Sequence, residues 1–204
     1  MVLPLDPIDV TISCAFVFAF FLFARISNLV PDSRCHIDDY HCLRRGDIEP
    51  SHYGLCVKFS WSKTNQFGNR VLELPLLSIP NSPLCPVRLF YLMGELVPAS
   101  SRSPLFLYRS RSGMVKPIPK RQFVSVLRAR LGAAKVAQSH LFRGHSFRRG
   151  GTSWAFSAGL PGELIQIFGG WRSDAYKCYV DISMALKLRV AKGMVLSVSS
   201  FSST

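Results

Sequence analysis

The first marked feature along the chain is an uncharged apolar run from Val10 to Ala24 (VTISCAFVFAFFLFA), with Asp6 and Asp9 ahead of it and Arg25 behind. Apolar side chains on every face describe a helix that is buried all round rather than one with a wet side. The pattern predicts a helix over roughly 8–29, closed by Pro31. A membrane span needs about 20 apolar residues, and a signal peptide needs a basic lead-in where this chain has two aspartates. A buried core helix is the better reading.

Beyond this helix the period changes. Leu55, Val57, Phe59 and Trp61 share one face and Lys58 the other, the two-residue alternation of a half-buried strand over 55–61. A polar turn at 62–69 and a return strand at 71–74 complete a hairpin with a longer loop. Pro80, Pro83 and Pro86 punctuate the exit, and Pro86 opens a helix to about Leu96. Residues 98–119 read as loop and short strand. Phe123, Val126, Leu127 and Leu131 lie at helical spacing and predict a helix from about Lys120 to Leu131. The next helix starts near Ser146, a candidate N-cap, carries Trp154 and Phe156, and ends at Gly159. Pro161 opens a short helix to Phe168, the pair Gly169-Gly170 breaks the chain, 173–183 is helical, and 184–192 is basic and amphipathic. The Ser-rich 197–204 reads as a frayed tail. The sum is a mostly helical α+β fold with a small antiparallel sheet in its N-terminal half.

Composition narrows the partners. The chain has 204 residues, enough for one domain with a real core or at most two small ones. Lys and Arg number 25 against 12 acidic residues, a formal net charge of +13, while 48% of residues are apolar. A folded chain this basic faces a polyanion, with nucleic acid ahead of an anionic membrane surface. The six cysteines form no C-x-x-C pair and no framework of regular spacing, which points to a reducing compartment. Cys35, His36, His41 and Cys42 are zinc-binding residue types, but adjacent Cys-His pairs do not match the usual ligand spacing, and no metal site is expected.

The chemistry concentrates toward the C-terminus. In Arg143-Gly144-His145-Ser146-Phe147-Arg148-Arg149, His145 and Arg148 stand at i and i+3 on a helix start. They point the same way and can address one phosphate, an anion that a helix N-terminus also favours. Arginine adds a planar fork suited to phosphate oxygens. An ordinary basic helix cap would look the same. Downstream, Gly169-Gly170-Trp171-Arg172-Ser173-Asp174-Ala175-Tyr176-Lys177-Cys178-Tyr179 carries two tyrosines after a glycine break. A phenol is a weak nucleophile near its ordinary pKa of about 10 and needs cations around it.

Together the run from His145 through Arg148 to Gly151 and the run from Leu164 to Tyr179 resemble the tyrosine recombinases, the phage-integrase family, and more narrowly the recombinases of DIRS-type eukaryotic mobile elements. The resemblance covers about residues 8–192. That family's signature is an Arg, a Lys, His-x-x-Arg, a His or Trp, and a Tyr. His145 and Arg148 match the His-x-x-Arg box. Arg25, at the end of the apolar helix, matches the first Arg, and Lys63, in the hairpin turn, matches the Lys. Trp171 and Tyr179 take the last two roles, with Tyr176 as the other possible nucleophile. The family usually places its nucleophile nine residues after the His or Trp. Counting back from Tyr179 lands on Gly170, which offers no donor, and Trp171 comes one place late.

The resemblance implies a tyrosine recombinase catalytic-domain fold over 1–192, with the family's N-terminal clamping domain absent and 193–204 a flexible tail. It implies cleavage and rejoining of double-stranded DNA through a 3′-phosphotyrosyl link on Tyr179. Arg25 and Arg148 would hold the non-bridging oxygens, His145 would move the tyrosine proton, Lys63 would protonate the leaving oxygen, and Trp171 would pack on the site or donate its N–H. It implies no metal or other cofactor, self-association as a tetramer on DNA with 184–204 as the exchanged segment, no membrane, and residence in the nucleus for a eukaryotic element or otherwise the cytoplasm. Three rivals remain: a decayed DNA-binding remnant of a mobile element, a type IB topoisomerase-like enzyme, and a membrane-associated basic protein anchored by 10–24.

Overall fold

The computed structural model describes residues 6–31, 42–60, 71–110, 112–171, 173–180, 184, 188, 191 and 192. The chain divides into two compact units, 1–148 and 149–204.

The first unit is organised around the apolar run. Helix α1 spans Pro7–Phe21, with the Asp6 side chain accepting from the Ile8 N–H at 3.0 Å and Pro7 in the first turn. Val10, Ile12, Cys14, Ala15, Val17, Phe18 and Ala19 are all buried, which is why the helix shows no polar stripe. The one polar residue among them, Thr11, places its hydroxyl within hydrogen-bonding distance of the Pro7 and Leu107 carbonyls, at 2.9 and 3.0 Å. Among the described residues no helix is long and apolar enough to cross a membrane.

The predicted single helix over 8–29 is two helices. Helix α1 stops at Phe21, and a short helix α2 begins again at Ile26–Leu29. Between them Phe23 adopts φ 47°, the left-handed region. Its N–H donates to the Phe20 carbonyl and the next N–H, of Ala24, reaches back to Ala19 at 3.1 Å. These are the two paired bonds that satisfy carbonyls at a helix end, a motif that normally uses glycine.

Three strands follow, β1 (Ile48–Ser51), β2 (Gly54–Phe59) and β3 (Leu72–Leu77), in the antiparallel order β1-β2-β3. The expected alternation holds in β2: Leu55, Val57 and Phe59 are buried and Lys58 faces the polar side. There Lys58 meets Glu49 at 2.7 Å and Glu73 at 4.0 Å. Strand β1 was not foreseen, and β3 runs three residues beyond the expected end at Leu74. Each contains a proline, Pro50 in β1 and Pro75 in β3, and both are outer strands, where a residue without an N–H is tolerated. The end of the predicted strand at Trp61, and the turn at 62–69 with Lys63, lie outside the described residues.

Helix α3 (Pro86–Leu96) occupies its predicted span and packs on α1. A two-stranded hairpin, β4 (Leu107–Arg109) with β5 (Val115–Pro117), leads to helix α4 (Lys120–Ala133). The core is aromatic. Phe18 lies 5.6 Å from Phe106 and 6.4 Å from Phe90, and Phe16 lies 4.8 Å from Phe123 and 5.0 Å from Phe147. Each fully buried ring contributes roughly 1.5–3 kcal/mol through apolar burial.

Helix α5 spans Gly144–Ser157, and the division between the units falls inside it. Ser146 is not its N-cap. The helix starts two residues earlier, and the Ser146 hydroxyl accepts from the Arg143 N–H at 2.9 Å. In the second unit, helix α6 covers Gly162–Phe168, and the segment expected to be helical over 173–183 forms a 3-10 helix at Asp174–Tyr179, with 181–183 outside the described residues. Ser173 caps that helix by accepting from the Ala175 N–H at 3.4 Å. Among the described residues Cys14, Cys56, Cys85 and Cys178 are free thiols, and no group of three or more His, Cys, Asp or Glu side chains is placed to hold a metal. Cys35, His36 and His41 lie outside the described residues.

Candidate phosphate-binding site

The turn between α1 and α2 builds one side of the site. Because Phe23 is left-handed, the chain reverses there and Arg25 falls at the N-cap of α2 with extended backbone, φ −73° and ψ 139°. Arg25 is half-buried, and among the described residues no hydrogen bond or ion pair occupies its guanidinium. The start of α5 builds the other side. Gly144 is buried against α2, and a Cβ there would meet Ile26 Cγ2 at 2.5 Å. Only a glycine lets the N-terminus of α5 approach so closely the residue that follows Arg25.

That approach brings three of the predicted residues together. Arg148 is 4% exposed, and its Nη1 donates to the Phe23 carbonyl, the group turned by the left-handed residue. His145 is exposed one turn earlier on α5. Its pKa is held below the ordinary 6.5, first by partial burial and then by the charges of Arg25, Arg148 and Lys120. The imidazole is therefore neutral at pH 7 and able to accept a proton. Clustered like charges on a folded surface repel one another, and an oxyanion placed among them removes that repulsion. Lys120, at the first position of α4, is the member that the sequence did not mark.

The second unit holds the remaining candidates. Trp171 is buried, its ring 5.7 Å from that of Tyr179 and 6.2 Å from that of Tyr176. Tyr176 is 6% exposed, with its ring over Gly162 at the start of α6. Tyr179 is half-buried, and its carbonyl accepts from the Ser153 hydroxyl at 2.8 Å. The two tyrosines thus differ: the Tyr176 ring is a packing element, and Tyr179 keeps access to solvent.

Gly170 has a structural reason. It takes φ 65° just past the end of α6, its N–H donates to Ile167, and the Trp171 N–H donates to Gln166, each at 3.1 Å. This is a complete Schellman end, whose left-handed position favours glycine. The same end folds Trp171 back over Gly169, where any Cβ would run into the indole.

No protein-family model matches the sequence, and no curated protein does so either. Solved structures do. The chain is similar to the XerH site-specific recombinase in its pre-cleavage complex with difH substrate, at 11% identity and TM-score 0.59, covering 93% of this chain and 48% of that one. It is likewise similar to the same recombinase in a post-cleavage complex with palindromic difH, at 12% identity and TM-score 0.62, covering 93% and 47%. The chain thus spans about half the length of the recombinase chains it matches. At this identity the likeness establishes the fold alone: a mixed α+β arrangement with a small antiparallel sheet, shared with about half of the XerH chain.

Proposed function

We propose that the protein cleaves and rejoins double-stranded DNA at specific sites through a 3′-phosphotyrosyl intermediate on Tyr179. The observation that carries this reading is the group Arg25, His145 and Arg148, side chains from two distant stretches of the chain: Arg148 donates to the Phe23 carbonyl in the turn that leads to Arg25, and both guanidinium charges act on the imidazole. In the proposed step the Tyr179 oxygen forms a bond to the scissile phosphorus and the bond to the 5′ oxygen breaks. His145 accepts the phenol proton, and Lys63 delivers one to the departing 5′ oxygen. Arg25 and Arg148 stabilise the charge that builds on the non-bridging oxygens, a contribution of about 3–4 kcal/mol per donor by analogy with oxyanion holes. Attack on the link by the 5′-hydroxyl of a second strand restores the phosphodiester. The XerH complexes, described before and after cleavage of DNA, support the reading through the shared fold. A DIRS-type element as source, tetrameric assembly on two duplexes and nuclear residence belong to the same proposal.

A second reading is favoured by Gly170, which offers the phosphate no side-chain donor: a remnant that binds DNA without cutting it. Covalent capture of a nicked suicide duplex separates the two. The wild-type chain is expected to form the adduct. Tyr179→Phe is expected to bind without forming it, and Tyr176→Phe to retain it. Binding with no adduct in the wild type supports the remnant; loss of capture in Tyr176→Phe alone moves the nucleophile. Relaxation of supercoils without strand exchange would indicate a topoisomerase-like enzyme.

A further inference from the structure

We infer that Lys120 is a further phosphate-contacting residue of this site, its ammonium group taking an oxygen of the same DNA backbone segment that Arg25, His145 and Arg148 address. The inference rests on the proposed DNA-cleaving reading.

The start of α4 is pinned to both sides of the site. The Lys120 N–H donates at 3.2 Å to the carbonyl of Pro31, just beyond α2, the helix that Arg25 begins. One turn along α4, the fully buried Phe123 sets its ring 5.5 Å from Phe147, edge to face. Phe147 sits between His145 and Arg148 on α5. Further along, Arg128 Nε donates at 2.9 Å to the Phe142 carbonyl, on the segment leading into α5. Lys120 is therefore carried to the cluster by backbone and core packing, and its flexible stem brings the charge within reach of His145.

Two of the described lysines are paired with carboxylates, while Lys116 and Lys135, like Lys120, meet none among the described residues. Lys58 meets Glu49 at 2.7 Å, and Lys177 meets Asp174 at 2.6 Å. Lys120 is exposed, yet among the described residues no hydrogen bond or ion pair occupies its ammonium group. Its charge acts on the His145 imidazole together with those of Arg25 and Arg148. A group of cations of this kind is the arrangement expected where a polyanion completes the site. A lysine suits such a contact as a compact, movable charge beside the fixed forks of the arginines.

The test uses the full chain with Lys120→Ala and Lys120→Arg and two readouts. In the absence of DNA, the His145 ring is titrated by NMR. Lys120→Ala is expected to move the titration to higher pH, since one repelling charge is gone, and Lys120→Arg to leave it in place. An unmoved titration in Lys120→Ala overturns the inference. Binding to a random-sequence duplex is then followed against salt. The slope of log K with log salt is expected to fall by about 0.9 in Lys120→Ala and to persist in Lys120→Arg. A wild-type chain that binds with salt dependence, and a Lys120→Ala chain with the same slope, overturns the inference alone. A wild-type chain with no salt-dependent binding overturns the DNA reading and this inference with it.

Discussion

The guanidinium of Arg148 donates to the carbonyl of Phe23, a residue 125 positions earlier in the chain. One side chain thereby ties the helix that carries His145 to the turn that positions Arg25. The two arginines are consequently not equivalent. Arg148→Ala leaves a buried carbonyl without its donor and should destabilise the protein by about 1–3 kcal/mol. Arg25→Ala, half-exposed and without a hydrogen bond to lose, should change stability by no more than about 0.5 kcal/mol. Urea denaturation measures both. Capture of a suicide substrate should be lost in each, so an Arg25→Ala chain that unfolds as readily as Arg148→Ala would contradict the assignment.

The His145 imidazole gives the protein a pH signature of defined sign. Its pKa is lowered by partial burial and by Arg25, Arg148 and Lys120, so the folded chain binds fewer protons at this position than the unfolded one. The stability it leaves intact above the ordinary value of 6.5 is lost as pH falls from there toward the folded pKa. A His145→Gln chain should lack this part of the acid-side loss, visible as a flatter stability profile below 6.5. Capture by the wild type should fall on the same acid limb as the base becomes protonated. A wild-type imidazole that titrates above 6.5 in the free protein would contradict the geometry.

Gly144 controls how closely α5 approaches α2. In Gly144→Ala the added methyl meets Ile26, and the strain should amount to about 1–3 kcal/mol. Capture should fall together with stability, because His145 and Arg148 are displaced from Arg25. Trimming the obstruction with Ile26→Ala should return part of the loss, a coupling that a double-mutant cycle reads directly. Strict additivity of the two substitutions would show that they do not meet.

At the end of α6, Gly170→Ala should destabilise by about 1 kcal/mol, because a Cβ is disfavoured at φ 65°. Gly170→Asn should cost less, asparagine being the next best occupant of that conformation. Equal urea midpoints for all three chains would remove the Schellman argument.

The sequence was most readable where local signals and tertiary packing agree. Pro86 sits at the first turn of α3, the alternation of Leu55, Val57 and Phe59 marks β2, and Pro161 precedes α6. It was least readable where long-range contacts decide. Neither Gly nor Pro marks the break between α1 and α2. It falls at Phe23, whose left-handed backbone is stabilised by a donor more than a hundred residues away. Strand β1 carries Pro50 and one buried position, too little alternation to stand out. His145 and Arg148 were marked as a pair by their i, i+3 spacing, whereas Arg25 was marked only through the family resemblance, since by itself it looks like a positive cap after a buried helix. Lys120 carried no mark, because a lysine opening an amphipathic helix looks like any solvated one. The nine-residue spacing back from Tyr179 met a glycine because the helix end favours one there.

The prolines in the outer strands have a consequence for the behaviour of the protein in concentrated solution. Sheets grow sideways when an exposed rim offers an unbroken ladder of donors and acceptors to another polypeptide. With Pro50 on one rim and Pro75 on the other, both ladders are interrupted. Among the described residues, the sheet thereby offers no unbroken ladder at either margin, which disfavours fibril-like extension even though its strands are rich in leucine.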